Sequence, residues 1–150
     1  MNSPFITVIT STLNSANSIL NLSNSLRKQK MRNFEWLVVD GGSNDETLNI
    51  LEKNKDCKII CSEKDNGIYH AWNKALPHIK GEWIIFLGSD DYVIDENVFN
   101  DLYFFVKKSK IDNFDIIYGN VSCGGKLVGI EIKDFKKAIS KNMCICHQAT

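Results

Sequence analysis

Phe34-Glu35-Trp36-Leu37-Val38-Val39-Asp40-Gly41-Gly42-Ser43-Asn44-Asp45-Glu46-Thr47-Leu48 carries the pattern on which the whole chain is built. Its first six residues are almost continuously apolar and rich in aromatic and β-branched types, as in a strand covered on both faces. A carboxylate then stands directly before two glycines. A helical stripe follows, Leu48 and Leu51 with Ile50 beside them. The same order recurs outward in both directions. Apolar runs at residues 5–9, 57–61, 83–87 and 114–118 alternate with stripes that bury one helix face. These stripes are Ile19, Leu22 and Leu26; then Ile68, Ala71, Trp72, Ala75 and Leu76; then Val98, Leu102, Phe105 and Val106, with Asp95 placed as the N-cap of the last. The β-α-β-α-β-α-β-α-β order predicts an α/β fold around a mostly parallel sheet. Beyond residue 118, residues 121–132 around Gly124-Gly125 read as a β-hairpin, residues 134–140 as a short helix and residues 143–146 as a strand.

The chain has 150 residues, one domain's worth, with no repeat, linker or composition break, so residues 1–150 are read as a single unit. A chain of this length buries roughly 68–70% of its unfolded surface, enough for a core without disulfides. Eighteen basic side chains balance eighteen acidic ones, which disfavours nucleic acid as a partner because phosphate binding normally leaves a basic excess. No run reaches the ~20 apolar residues of a membrane span. The N-terminal residues lack the basic and long apolar regions of a signal peptide and read as the approach to a strand, which makes the cytoplasm the default location. Five cysteines form an odd set that suits free thiols in a reducing compartment. A zinc site from Cys57, Cys61, Cys144, Cys146 and His147 is the sharper alternative. Against it, Cys57 and Cys61 bracket an apolar run and there is no compact CxxC pair.

In open parallel sheets, ligands bind beyond the carboxyl ends of the strands. The polar stretches fall there: residues 10–14 after the first strand, 40–45 after the second, 62–67 after the third and 88–91 after the fourth. Ser89-Asp90-Asp91 is the most chemical of them. Adjacent carboxylates repel, and Mg²⁺ or Mn²⁺ relieves the repulsion while taking further oxygens from a bound diphosphate. The competing role for Asp90 or Asp91 is capping of the following helix. His147 is a further candidate ligand. Ser43 with Glu46 three residues on reads as a capping box, and Asp65 or Asn66 as the N-cap of the third helix, whose start would favour an anion. Asn73 is the inward polar residue of that helix, and His70 and His78 lie on solvated or boundary faces.

At these residues the chain resembles the family 2 glycosyltransferases of GT-A fold, inverting enzymes that use nucleotide-sugars. Four ordered stretches carry the resemblance: residues 6–14, the Asp-Gly-Gly-Ser-Asn-Asp-Glu-Thr segment ending at Thr47, residues 62–75 and residues 81–91. The Ser-Glu-x-Asp-x-Gly-Ile-Tyr form and the terminal His147-Gln148-Ala149-Thr150 look most like the branch that builds bacterial O-antigen, capsule and exopolysaccharide. The resemblance implies a Rossmann-like α/β/α sandwich with these residues as its nucleotide-binding part. It implies that Thr10, Ser11, Thr12 and Asn14 line the nucleotide and that Asp40 contacts the base, uracil. Asp65, Gly67 and Asn73 border the pocket. Ser89 and Asp90 lie on the ribose side, and Asp91 with Asp90 holds the metal. It further implies a UDP-sugar donor, a saccharide or lipid-linked acceptor, and action at the inner face of the cytoplasmic membrane with peripheral association of the full-length protein. The general base is expected beyond Thr150. The sequence departs from the family at Leu13, Gly41 and Gly88, where Tyr, Asp and Asp are common. A sugar nucleotidyltransferase would need a glycine-rich basic loop in place of Ser11-Thr12-Leu13-Asn14-Ser15. A nucleotide-binding module without catalysis is the other alternative.

Overall fold

The computed structural model describes residues 3–108, 117, 121–123 and 126–128. Its main unit alternates β1 (Ile6–Thr12), α1 (Ile19–Lys28), β2 (Phe34–Asp40), α2 (Thr47–Glu52), β3 (Cys57–Ser62), α3 (Ile68–Ala75), β4 (Trp83–Phe86) and α4 (Val98–Lys108). The four strands form one parallel sheet in the order β3-β2-β1-β4. In the separate unit that begins at Ile111, β5 (Val121–Cys123) pairs antiparallel with β6 (Lys126–Val128), the expected hairpin. The strand expected at 114–118 falls outside the described residues apart from Ile117. So do the helix at 134–140, the strand at 143–146 and His147. Among the described residues no helix is long and apolar enough to cross a membrane.

Each face of the sheet has its own core. Ile6, Val8, Trp36 and Val38 face Ile19, Leu22 and Leu26 of α1, Leu51 of α2 and Phe99 of α4, all fully or almost fully buried. Burying each such side chain contributes roughly 1.5–3 kcal/mol, so helices this short are held by their apolar faces more than by propensity. On the opposite face, Ile9 and Val39 meet Ala71, Trp72 and Ala75 of α3, with Phe86 stacked 4.4 Å from Trp72.

The helix faces differ from the sequence expectation at their ends. In α3, Ile68 is 39% and Leu76 44% exposed, so the buried stripe reduces to Ala71, Trp72 and Ala75. Leu76 lies in a 3-10 turn with Pro77, which ends the helix by removing a backbone donor. In α4, Phe99 is buried and Val98, Leu102 and Val106 pack, partly buried, against the same core, while Phe105 is 53% exposed, so the expected stripe holds without Phe105 and gains Phe99.

At the start of α4 a long-range partner stands in for the expected cap. Asp95 Oδ1 accepts from the backbone N–H and the side-chain amide of Asn97, and Asp95 itself lies two residues before the cap position of α4. These bonds hold its carboxyl below the usual carboxylate range. The donor near the start of α4, Phe99 N–H, instead reaches buried Gln29 Oε1 at 3.1 Å, while Gln29 Nε2 donates to Asp95 O at 2.6 Å. A glutamine from the end of α1 thus pins the segment that follows the acidic turn.

Candidate active site

Three parallel strands end side by side, and their register builds the floor of the site. Thr12 pairs with Asp40 on β2, and Asp40 pairs with Ser62 on β3. The second pairing depends on an irregularity between Val38 and Val39, where Val38 faces Ile59 but Val39 faces Cys61. The extra residue, Ile60, shifts β3 by one; without it Asp40 would face Cys61. With it, Ser62 Oγ donates to Asp40 Oδ2 at 2.7 Å.

Asp40 is fully buried and its carboxylate is occupied by its own loop. Oδ2 also accepts Gly42 N–H at 3.0 Å and Ser43 N–H at 2.8 Å, and Oδ1 accepts the Ser43 hydroxyl at 2.5 Å. Ser43 is therefore turned back onto Asp40, and its hydroxyl also accepts Asn14 N–H at 2.8 Å. The capping box expected of Ser43 and Glu46 does not form. Asp45 takes that place at α2, accepting Thr47 N–H at 3.0 Å and the Thr47 hydroxyl. Those donors hold the Asp45 carboxyl below its ordinary value, the Thr47 hydroxyl contributing most.

The strand β1 runs further than expected, so Thr10, Ser11 and Thr12 lie within it rather than after it. Thr10 Oγ1 accepts Trp36 Nε1–H at 3.0 Å inside the core. Thr12 Oγ1 is buried at the carboxyl edge with no hydrogen-bond partner among the described residues, a costly state that a ligand donor or acceptor would relieve. Asn14 takes a left-handed conformation (φ 49°), which asparagine tolerates. Its Oδ1 accepts Asn44 N–H at 2.9 Å.

The turn after β4 gathers the two acids. Asp91 Oδ2 accepts Gly88 N–H at 2.7 Å, and Asp91 N–H donates back to Gly88 O at 3.2 Å. A Cβ on Gly88 would stand 2.9 Å from Asp90 Oδ1 and 3.1 Å from Asp91 Oδ2. The two carboxylates therefore close around the space that a side chain at 88 would fill, which explains why glycine stands where an aspartate is common. Two hard oxygen donors around one cradle suit Mg²⁺ or Mn²⁺. No set of three His, Cys, Asp or Glu residues able to hold a metal occurs among the described residues, which do not include His147.

Asp65 also replaces a side chain that is absent. Its Oδ2 lies 3.1 Å from the Cβ position of Gly41, while its Oδ1 accepts Gly67 N–H at 2.9 Å. An acid at 41 would crowd this carboxylate. Neither Asp65 nor Asn66 caps α3 with its side chain; the cap position is Gly67, whose φ of 106° favours glycine. His70 Nδ1 accepts Asn66 N–H at 3.1 Å, a local role for a histidine expected only to be solvated. Asn73 is exposed rather than turned inward, and neighbouring Lys74 pairs with Glu63 at 3.0 Å.

Cys57 and Cys61 are free thiols. The Cys57 Sγ–H donates to Leu51 O at 3.2 Å, and burial pushes its pKa up to about 11. A thiol held protonated is a poor zinc ligand. Native Cys57 should therefore resist iodoacetamide at pH 8 and react once the chain is unfolded in urea, as read by peptide mass spectrometry.

Asp45 and Ser62 fall in polar stretches expected at this edge and Thr47 closes the Asp-x-Thr spacing, but none of the three has a role of its own in the sequence reading, because that spacing reads equally as an ordinary helix start. The chain is 33% identical over 125 residues to a PGL/p-HBAD biosynthesis glycosyltransferase of Mycobacterium bovis, covering 81% of this chain and 48% of that one. It is 34% identical over 101 residues to the UDP-Glc:alpha-D-GlcNAc-diphosphoundecaprenol beta-1,3-glucosyltransferase WfaP of Escherichia coli, covering 66% and 40%. The chain thus spans about half the length, or less, of these relatives. The crystal structure of Staphylococcus aureus TarS 1–349 in complex with UDP-GlcNAc matches with a TM-score of 0.64 and 35% identity, over 69% of this chain and 31% of that one. The fold is accordingly the GT-A α/β architecture. The sequence profile of Glycosyl transferase family 2 matches residues 7–133, and the chain belongs to that family.

Proposed function

We propose that the chain binds the donor of an inverting glycosyltransferase, a UDP-sugar whose sugar passes to a saccharide or lipid-linked saccharide acceptor in surface-polysaccharide biosynthesis on the cytoplasmic side of the membrane. The observation that carries the reading is the Asp90–Asp91 turn, with two carboxylates around one cradle at the carboxyl edge. Thr12 Oγ1, buried on the same edge and unpartnered among the described residues, supports it. So do two similar proteins, one named for a UDP-Glc donor and one solved with UDP-GlcNAc.

In this reading the base lies against Asp65 and the end of β1. Asp40, its oxygens already bonded, holds the loop beneath it. Asp91 and Asp90 are the residues that would hold Mg²⁺ or Mn²⁺ against the diphosphate, and the cation would supply electrostatic neutralisation of charge on the departing nucleoside diphosphate. The acceptor hydroxyl approaches the anomeric carbon from the face opposite the diphosphate, so the configuration inverts.

Calorimetric titration of UDP and GDP, with and without Mn²⁺, tests this on the wild type and on Asp91→Ala. UDP should bind more tightly than GDP, and Mn²⁺ should strengthen UDP binding. Asp91→Ala should cost roughly tenfold or more of the affinity measured with Mn²⁺. UDP binding indifferent to both Mn²⁺ and Asp91 would overturn the reading.

A further inference from the structure

The loops after β1, β2 and β4 are tied together by hydrogen bonds that meet at one residue, Ser15. Its backbone N–H donates to Thr47 Oγ1 at 2.7 Å in a buried bond. Its carbonyl accepts Ser18 N–H at 3.0 Å and Ile19 N–H at 2.9 Å, starting α1. Its hydroxyl lies 2.7 Å from the Ser89 hydroxyl, which directly precedes the two acids.

The polarity of this chain of contacts is constrained. The Thr47 hydroxyl has one proton, and it is given to Asp45 Oδ1. Thr47 Oγ1 therefore meets Ser15 only as an acceptor. Asp45 Oδ2 meanwhile accepts Ala16 N–H at 3.1 Å, so one carboxylate fixes two consecutive residues of the β1 loop, one directly and one through Thr47. On the far side, the acidic turn is closed internally between Gly88 and Asp91. Leu87 N–H bonds Ile9 O at 3.0 Å before the turn, and Val93 N–H bonds Ser25 Oγ at 3.0 Å after it. Between those two anchors, Ser89 connects the turn to the rest of the sheet edge through Ser15.

We infer that Asp45, Thr47 and Ser15 are positioning residues for the Asp90–Asp91 turn, acting through Ser89 to set where the two carboxylates stand. The Asp-x-Thr spacing then matters for the acids of another loop, more than forty positions later, and not for contact with the nucleotide. The inference rests on the proposed reading of the turn as the diphosphate and cation site. Outer contacts that orient cation-holding groups typically carry 10–100-fold of cation affinity.

The test is the Mn²⁺ concentration that half-saturates UDP binding, measured with the thermal midpoint for Ser15→Ala, Thr47→Val, Thr47→Ser, Ser89→Ala and the Ser15→Ala/Ser89→Ala pair. Ser15→Ala should raise that concentration roughly tenfold while the midpoint stays within a few degrees of wild type. Thr47→Val should raise it in the same direction and Thr47→Ser, which keeps the hydroxyl, should restore it. The double variant should be no worse than the weaker-binding single variant, because both break one contact. If Asp91→Ala loses the Mn²⁺ effect while Ser15→Ala keeps the wild-type requirement, the relay is only structural and the inference fails. If Asp91→Ala itself keeps the wild-type Mn²⁺ dependence, the reading of the turn falls and takes the inference with it. Should Thr47→Val fail to fold, the Ser15 and Ser89 variants decide the matter alone.

Discussion

Asp40→Ala should lower the thermal midpoint by about 10 °C and abolish UDP binding even at temperatures where the sheet stays folded. The substitution removes the acceptor of Gly42 N–H, Ser43 N–H and the hydroxyls of Ser43 and Ser62 in a fully buried place. Each buried donor left unpaired costs roughly 1–3 kcal/mol. Water entering the vacated space recovers part of that, leaving a net loss of about 3 kcal/mol from a total stability of roughly 5–15 kcal/mol. Ser62→Ala removes one of the four bonds and should cost only about 1 kcal/mol. Urea unfolding followed by circular dichroism, with UDP titrated at 10 °C, separates the two effects. An Asp40→Ala chain with wild-type stability and selectively lost UDP binding would show that Asp40 touches the base and is not primarily the keeper of the loop.

Gly81→Ala should destabilise the chain at least as much, although the position lies at the opposite end of the sheet from the site. A Cβ there would stand 2.4 Å from Thr7 N, 2.6 Å from Thr7 Oγ1 and 2.7 Å from Ile6 C. The obstacle is the backbone of β1, which is paired with β2 on one side and β4 on the other and cannot yield. The shift would also break Gly81 N–H to Thr7 Oγ1 at 2.9 Å, and with it disturb the bond from Thr7 Oγ1–H to Glu35 Oε1 at 2.6 Å. Overpacking against fixed backbone lies at or beyond the upper end of the usual 1–3 kcal/mol, so about 3 kcal/mol or more is expected. Thermal melts read the loss directly. A midpoint within about 2 °C of wild type, less than 1 kcal/mol for a chain of this size, would mean that the entry to β4 shifts more easily than the register implies.

The strand and helix order was legible because both signals are local. Residues 34–39 read as a buried strand from six side chains, and Ile19, Leu22 and Leu26 read as a helix face from their spacing alone. The acidic turn was legible for a similar reason: two adjacent carboxylates after an apolar run are unusual wherever the run lands. Caps were read less well. Ser43, Asp65 and Asp95 each have the side chain a cap needs, yet each spends it elsewhere, on Asp40, on Gly67 N–H or on Asn97. A short polar side chain reaches several backbone and side-chain groups at similar cost, and which of them it meets depends on how neighbouring loops are placed.

The sequence by itself determined the parallel α/β layer order, the edge on which polar groups collect, and the pair of acids that marks it. Each of these follows from side-chain polarity and spacing along one stretch of chain. Only the tertiary structure decided which partner each polar group takes. The one-residue shift at Ile60 brings Ser62 beside Asp40, and Gln29 crosses from α1 to hold the start of α4. The carboxylates of Asp90 and Asp91 border the space that a side chain at Gly88 would take, and Thr47 reaches Ser15 across 32 positions. Contacts between residues so far apart in sequence are set by strand register and helix packing, and neither is encoded in any single stretch of the chain.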